Sequence, residues 1–253
     1  MIDTHTHTIS SLHAYSTLEE NVISASMLGL SGIGVTDHYS SMVGHGDKYD
    51  KRDYQFLINL KIIPRIWHDI KVYRGAEVDI VNLNGDLYGY DQLQRDGSSM
   101  NEYMLGYTDY HIVSVHRVSK EMREASPVQV AEMYIAAISQ NKSMIIGHIN
   151  RAGLIFDEDM VLDEVKKIGK AIEINESTLT QSGQDKAIAC RRIAEKCAEK
   201  GVFISIASDA HISTDIGRID TARKMLNEIH FPEELIINRN VETFDKFLNN
   251  TAG

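Results

Sequence analysis

The chain has 253 residues, of which 43% are hydrophobic and 25% are charged, a composition typical of a globular protein with a sizeable core. Its formal net charge of −10 disfavours long nucleic acids and anionic membranes, because both repel an acidic surface. No apolar run reaches the ~18 residues of a membrane helix, and the first residues lack the pattern of a secretory signal, so we expect no membrane partner and a cytoplasmic location.

Short apolar segments alternate with helical segments along the chain, without repeats or linkers, so we expect one domain over residues 1–253. Seven of the segments are rich in Ile and Val, as strands of a buried parallel sheet are. They are residues 2–4, 32–36, 72–80, 111–115, 143–147, 171–175 and 202–207.

Two helices have clear start signals in the sequence. Ser16 and Glu19 have the spacing of a capping box before one helix. Ser126, followed by Pro127 and Gln129, predicts the start of another, because proline is favoured in the first turn.

A long amphipathic helix is predicted over residues 184–200, ending at Gly201. The Asn84-Gly85 pair predicts a hairpin turn within one strand–helix unit. Seven strands alternating with helices favour an α/β fold with a closed barrel, and an open doubly wound sheet is the structural alternative.

Cys190 and Cys197 are the two cysteines, seven residues apart in the helical segment CRRIAEKC. This spacing separates them by about 10 Å along one helix, which is too far for a disulfide. We therefore expect two reduced core side chains, in agreement with a cytoplasmic location.

Nine His, Glu and Asp side chains lie near the C-terminal ends of six of the seven predicted strands. Barrel enzymes assemble their active sites at this end. Imidazole and carboxylate ligands suit Zn, Mn or Fe, and nine of them exceed the needs of two ions, so the sequence predicts three divalent metal ions. The candidate metal ligands are His5, His7, His13, His38, Glu77, His116, His148, Asp209 and His211.

A structural role for each histidine is the alternative, but it would have to hold at six strand ends at once. For His68, His111 and His230, surface or packing roles are favoured, because they lie outside this pattern. His45, in the loop over residues 39–55, is a candidate substrate-binding or lid residue.

Together the segments DTHTHT, HAYSTLEE, TDH, RGAEVDI, SVHR, IIGH, AIEINEST and ASDAH resemble the PHP (polymerase and histidinol phosphatase) superfamily. The resemblance extends from residue 2 to about residue 240, and HAYSTL, PRI and IEINEST are most similar to its small stand-alone bacterial phosphatases. An isolated HxH is weak evidence, whereas the ordered set of motifs is specific. The resemblance implies a distorted (β/α)7 barrel with a trinuclear metal site at the C-terminal ends of the strands.

The resemblance also implies a reaction, the hydrolysis of a small phosphomonoester by a metal-bridging hydroxide, with inorganic phosphate as product. Histidinol phosphate or another metabolite phosphate is the expected substrate, and Glu77, Asp209 and His211 are the candidate catalytic residues. The implied ligand sets are His5, His7, Glu77 and Asp209 for one ion, Glu77, His116 and His148 for a second, and His13, His38 and His211 for a third.

Arginine side chains are expected to complete the phosphate site, because a guanidinium donates two parallel hydrogen bonds to an oxyanion. Arg117 and Arg218 are the candidate substrate-binding residues and rank above Arg151. Asp37 is expected to orient His38 or a neighbouring ligand.

Three other functions stay open at the level of the sequence. A phosphodiesterase or 5′ exonuclease would act on nucleotides or short oligonucleotides. An amidohydrolase also begins with HxH, but it typically needs a lysine ligand that this motif set does not supply. A non-catalytic metal-binding regulatory module is the third. The sequence does not distinguish a monomer from a homo-oligomer.

Overall fold

The computed structural model describes residues 1–43 and 49–250, so His45 lies outside the described residues. All seven predicted strands are present, with ends shifted by up to two residues. The described part of the chain also contains two unpredicted strands of two residues each. The strands are β1 Ile2–Thr6, β2 Gly32–Val35, β3 His38–Tyr39, β4 Ile66–Trp67, β5 Ile70–Asp79, β6 Tyr110–Ser114, β7 Ser143–Ile146, β8 Ala171–Asn175 and β9 Phe203–Ala207.

The main strands form one parallel sheet in the order β1-β2-β5-β6-β7-β8-β9. The short β3 pairs with β5 beyond the end of β2, and β4 pairs with β5 in antiparallel orientation. The first and last strands approach each other, with a bridge between Thr6 and Ala210 and a 3.0 Å hydrogen bond from the Asp209 amide to the His5 carbonyl. The sheet is therefore a nearly closed seven-stranded barrel, as predicted, and the open-sheet alternative is wrong.

Asn238 closes the seam between β1 and β9 at the opposite end of the barrel. Its Nδ2 donates to the Ile2 carbonyl at 2.7 Å and to the Ile206 carbonyl at 2.6 Å. Its Oδ1 accepts the Ile206 amide at 3.1 Å. One buried side chain thus replaces the ladder hydrogen bonds that the two strands do not make with each other.

Within the described residues, ten helices surround the barrel. The predicted 184–200 helix has the expected bounds and ends at Gly201, whose φ of 69° suits a glycine. The helices are α1 Leu18–Met27, α2 Gln55–Ile58, α3 Met100–Met104, α4 Lys120–Glu124, α5 Pro127–Ile138, α6 Glu158–Lys167, α7 Glu176–Gln181, α8 Gln184–Lys200, α9 Asp220–Glu228 and α10 Val241–Asn250.

The predicted capping box of α5 is present, with the Ser126 hydroxyl accepting the Gln129 amide. The capping box of α1 lies one residue later than predicted, because Thr17 and Glu20 form it. The Ser16 hydroxyl instead accepts the amide of Ser213, at 2.8 Å.

Aromatic side chains fill the end of the barrel at the N-termini of the strands, which we call the base. The Tyr110 hydroxyl donates to the Thr4 carbonyl at 2.5 Å, and a Cβ added at Gly34 would lie 2.0 Å from that hydroxyl. Phe244 of α10 packs against the Tyr110 ring, with 5.4 Å between centroids. The base is therefore closed by packed rings, which leaves the opposite end for a site.

Two smaller predictions are also confirmed. Gly85 has a φ of 77° in the turn that leads to the Ile80–Leu87 bridge. Cys190 and Cys197 are buried and unpaired on α8. In residues 1–43 and 49–250, no helix combines the length and apolarity needed to cross a bilayer.

Candidate metal centre

All nine predicted ligands lie together at the C-terminal ends of the strands, which we call the mouth of the barrel. Parallel strands bring their ends to the same opening, so residues far apart in sequence converge there. His13, His116 and His211 are partly exposed or exposed, and the others are buried. The side chains come from β1 or just after it, β3, β5 and the segments that follow β6, β7 and β9.

Glu77 of β5 lies at the centre of the cluster, with a side chain that is 1% exposed. Burial acts to raise the pKa of Glu77, but the surrounding imidazoles of His116, His5 and His38 hold it well below the usual value. The carboxylate is therefore ionised. Its Oε1 lies 2.8 Å from His148 Nε2 and 3.3 Å from His116 Nε2, and its Oε2 lies 2.9 Å from His38 Nδ1, 3.2 Å from His5 Nε2 and 3.4 Å from His7 Nε2.

Asp209 supplies the second carboxylate, from a left-handed backbone position with a φ of 58°. Its Oδ1 lies 3.2 Å from His7 Nε2 and 3.5 Å from His5 Nε2. Burial opposes ionisation, but the charge of His5 and the hydrogen bond from His7 hold the pKa of Asp209 well below its usual value. Two ionised carboxylates thus share one buried cluster of imidazoles.

Among residues 1–43 and 49–250, three groups of His, Glu and Asp side chains have ligand atoms within 4.8 Å of one another. One group, His5, His7 and Asp209, contains three of the four residues implied for one ion, and both of the other groups contain His38. How individual ligands divide among ions stays a prediction. The groups are His5, His7 and Asp209; His38, Glu77 and His116; and His7, His38 and His211.

The unpaired atoms of the cluster fit bound cations. The Nε2 atoms of His5 and His7 face each other at 3.0 Å, and those of His13 and His211 at 2.9 Å. Within the described residues, His38 Nε2 is buried without a hydrogen-bond partner, and His38 Nδ1 lies 2.9 Å from Glu77 Oε2 without hydrogen-bond geometry. Such atoms cost free energy unless a ligand satisfies them. Imidazole nitrogens and carboxylate oxygens are the donors that Zn, Mn and Fe prefer.

Two carboxylates that the sequence analysis missed orient these imidazoles. Glu173 Oε1 accepts from His5 Nδ1 at 2.6 Å, and Asp79 Oδ1 accepts from His116 Nδ1 at 2.5 Å. Each contact turns the Nε2 atom of that ring toward the cluster. Burial opposes protonation of His116, but Glu77 and Asp79 raise its pKa to about 10, so the site favours positive charge. A signal was present, because Asp79 lies two residues after Glu77 and side chains two apart share one face of a strand.

Asp37 orients a neighbouring ligand, His7, rather than His38. The Ser11 hydroxyl donates to Asp37 Oδ1 at 2.6 Å and lies 3.0 Å from His7 Nδ1. The Thr8 amide and hydroxyl also donate to Asp37, at 2.7 and 2.8 Å. The chain thus bends after β1 around one buried carboxylate.

The three candidate arginines occupy different positions. Arg151 Nη2 donates to Asp209 Oδ2 at 2.7 Å, so the arginine that ranked last contacts the cluster directly. Arg218 is 67% exposed and pairs with Asp215 at 3.1 Å. Arg117 is exposed beside His116. Contact of Arg117 and Arg218 with a phosphate stays a prediction.

The remaining described histidines lie away from the cluster. His68 lies in the turn between β4 and β5, with a φ of 47°, and His230 follows α9 with a φ of 52°. His111 is buried at the start of β6, with its Nε2 2.8 Å from the Thr108 hydroxyl.

The model of the PHP domain family matches residues 3–183. The chain belongs to the PHP domain family. A probable phosphatase of Caldicellulosiruptor saccharolyticus is 34% identical to it over 247 residues, which cover 98% of this chain and 95% of that protein. A probable phosphatase of Clostridium acetobutylicum is 33% identical over 248 residues, which cover 98% and 94%.

The PHP-domain barrel of this chain is also found in solved structures. A histidinol phosphate phosphatase of Lactococcus lactis, solved with zinc, L-histidinol and phosphate, matches with a TM-score of 0.58 and 19% identity. The match covers 91% of this chain and 94% of that protein. At this identity the likeness shows a common fold.

Proposed function

We propose that this PHP-domain protein is a metal-dependent phosphatase that hydrolyses a small phosphomonoester and releases inorganic phosphate. The observation that carries the proposal is the carboxylate of Glu77, ionised and surrounded by five imidazoles at the barrel mouth. Relatives that match 98% of the chain are named probable phosphatases, which supports this reaction. A metabolite phosphate similar to histidinol phosphate is the proposed substrate, in the cytoplasm.

The donor set would hold three divalent ions, Zn, Mn or Fe. Such ions, when bound, polarise phosphate oxygens and make water nucleophilic near neutral pH. Glu77, Asp209 and His211 are the proposed catalytic residues, because their side chains would hold these ions directly. The proposed ligands are His5, His7, His13, His38, Glu77, His116, His148, Asp209 and His211.

The chain itself contributes fixed positions and fixed charge. Glu173, Asp79 and Asp37 hold the rings of His5, His116 and, through Ser11, His7, so little reorganisation is needed when a substrate binds. Arg117 and Arg218 would donate to the phosphate dianion from the rim of the mouth.

The decisive experiment measures phosphate release from 4-nitrophenyl phosphate. Chelated protein is compared with protein reloaded with Zn, Mn or Fe, and bound metal is counted by mass spectrometry. We expect turnover only after reloading, with three ions per chain. The variant His230→Gln, altered in the turn after α9, is the control and should behave as the wild type.

The diester bis(4-nitrophenyl) phosphate is assayed in parallel. Turnover of the diester alone would replace the proposal with a phosphodiesterase or 5′ exonuclease. Bound metal without turnover of either ester, or of a panel of metabolite phosphates, would indicate a non-catalytic metal-binding module.

A further inference from the structure

Strand β8 differs from the other six main strands because no predicted ligand lies at its end. It instead places Glu173 and Asn175 between the ends of β7 and β9. Glu173 Oε1 accepts from His5 Nδ1 at 2.6 Å, and its Oε2 accepts the backbone amide of His148 at 2.8 Å. One carboxylate thus links a ligand on β1 to a ligand after β7.

Asn175 extends this contact toward Asp209. Its Nδ2 donates to Glu173 Oε2 at 3.1 Å and lies 3.3 Å from Asp209 Oδ2. Its Oδ1 accepts the Thr178 amide at 2.8 Å, which fixes the orientation of the side-chain amide. The amide is therefore locked between two carboxylates on one side and the start of α7 on the other.

Arg151 completes the arrangement from the segment after β7. Its Nη2 donates to Asp209 Oδ2 at 2.7 Å and to Asn175 Oδ1 at 2.6 Å, and its Nε donates to the Thr178 hydroxyl at 3.2 Å. The side chain is 27% exposed. A guanidinium that donates to three side chains is held in one orientation, which a flexible ammonium would not have.

This arrangement leaves the two oxygens of Asp209 unequal. Oδ2 is occupied by Arg151 and Asn175, whereas Oδ1 faces the imidazoles of His7 and His5 at 3.2 and 3.5 Å. We propose that Arg151 is a positioning residue that holds Asp209 with one oxygen toward the metal site. This inference rests on the proposed function, because it assigns that role within the same site.

Two other roles for Arg151 give different results. A phosphate-binding arginine would contribute to the affinity for substrate and product but not for metal. An arginine that acts by charge alone would repel cations, so its removal would tighten metal binding. A positioning arginine supports metal binding, because its removal leaves Asp209 Oδ2 poorly paired and free to turn.

The test uses Arg151→Met, which keeps most of the side-chain volume, and Arg151→Lys, which keeps the charge without the planar donors. Arg191→Met is the matched control, because Arg191 pairs with Glu195 and Glu228 on the helix surface. Zinc affinity is measured by competition with a chromophoric chelator. Kinetics with 4-nitrophenyl phosphate then separate kcat from KM.

We expect Arg151→Met to weaken the binding of at least one zinc ion by about 10–100-fold, as loss of an outer-shell partner does. We also expect kcat to fall while KM stays within about twofold of the wild-type value. Arg151→Lys should recover part of the zinc affinity. Arg191→Met should match the wild type in both measurements.

Unchanged or tighter zinc binding in Arg151→Met would overturn the inference. A tenfold rise in KM and in the inhibition constant of inorganic phosphate, with zinc affinity intact, would assign Arg151 to phosphate binding. If Arg151→Met does not fold, the zinc affinity of Arg151→Lys decides, since a wild-type value would exclude a positioning role. The zinc titration needs no turnover, so an inactive wild type would refute the proposed function and leave this test standing.

Discussion

At the mouth of the barrel, His38 Nε2 is buried without a hydrogen-bond partner among the described residues, and His38 Nδ1 lies 2.9 Å from Glu77 Oε2 without hydrogen-bond geometry. At the base, the Asn238 side chain makes three hydrogen bonds to the backbones of β1 and β9. The same strands pass through both ends. The mouth therefore gives up stability to keep ligand atoms available, and the base supplies the stability that this arrangement needs.

The two ends also differ in the charge state of their buried titratable groups. Burial acts against ionisation of Glu77, but adjacent imidazoles keep this carboxylate charged. At the base, burial, reinforced by the charges of Lys142 and Lys170, lowers the pKa of His111 to about 3 and keeps the ring neutral. Changes at the mouth should therefore affect metal binding and activity, and changes at the base should affect stability.

The largest effect is expected from Glu77→Gln. This variant replaces one carboxylate oxygen with an NH2 group, which removes the negative charge and cannot bind a cation. We expect activity to fall on the order of 10³-fold, because this carboxylate contacts the cluster directly, with loss of bound metal and an unchanged circular dichroism spectrum. The control is Glu228→Gln, since Glu228 is on the surface and pairs with Arg191. Activity within tenfold of the wild-type value would exclude a catalytic role for Glu77.

Asn238→Ala should have the opposite profile. It removes three hydrogen bonds at the seam and leaves buried backbone groups unpaired, so we expect a loss of about 3 kcal/mol in the free energy of unfolding. Urea denaturation measures this loss, and kcat per folded molecule should not change. Asn240→Ala is the matched control, because its Oδ1 accepts one exposed hydrogen bond, from the Thr243 amide. Equal losses in the two variants would show that the seam does not depend on Asn238.

The pH dependence of stability tests the neutral state of His111. Its folded-state pKa of about 3 lies below the ordinary value of 6.5, so the unfolded chain binds the proton first as pH falls. Stability from this group is fully present above pH 6.5 and is lost progressively between pH 6.5 and 3.

His111→Gln removes this contribution. Between pH 7.5 and pH 5, the metal-free wild type should lose about 2 kcal/mol more than the variant in the free energy of unfolding. Urea denaturation at the two pH values measures the difference. Parallel losses would mean that His111 is protonated in the folded protein at pH 5.

The smallest effects are expected from the two exposed candidate arginines, Arg117 and Arg218. Arg117→Met and Arg218→Met should each change the free energy of unfolding by less than about 0.5 kcal/mol, because both side chains are exposed. Each should raise KM for the phosphate ester about tenfold, as loss of one hydrogen bond to a charged group does. Steady-state kinetics with 4-nitrophenyl phosphate measure KM. A wild-type KM in either variant would exclude that arginine from the phosphate site.

Much of the fold could be predicted from the sequence because its local signals agree with the tertiary structure. The prediction for α8 is correct at both ends. Its C-terminus could be predicted because Gly201 readily adopts the left-handed conformation that ends a helix. The capping box of α1 was displaced because the segment STLEE offers two pairs with the same spacing. The choice between them depends on Ser213, which is remote in sequence and occupies the Ser16 hydroxyl.

Most candidate ligands could be predicted because they lie at or after strand ends, where polar residues interrupt an apolar pattern, whereas Glu77 lies inside β5 and was predicted within the motif RGAEVDI. Glu173 was missed because its partner His5 is 168 residues away in sequence, and nothing in strand β8 indicates which ring the carboxylate contacts. Arg151 ranked last for a similar reason, since its contact with Asp209 joins segments 58 residues apart. These orienting side chains are defined by three-dimensional neighbours and not by spacing.

The hydrogen bond between β1 and the segment after β9 joins residues that are synthesised at different times. His5 and His7 leave the ribosome early, but Asp209 and His211 are added some 200 residues later, and the Asp209 amide bonds to the His5 carbonyl only after the barrel closes. A nascent chain that has not reached this segment lacks two of the nine proposed ligands. If the proposed ligands bind metal, tight uptake would follow translation of the chain to about residue 211, and a product truncated before residue 209 would bind metal more weakly.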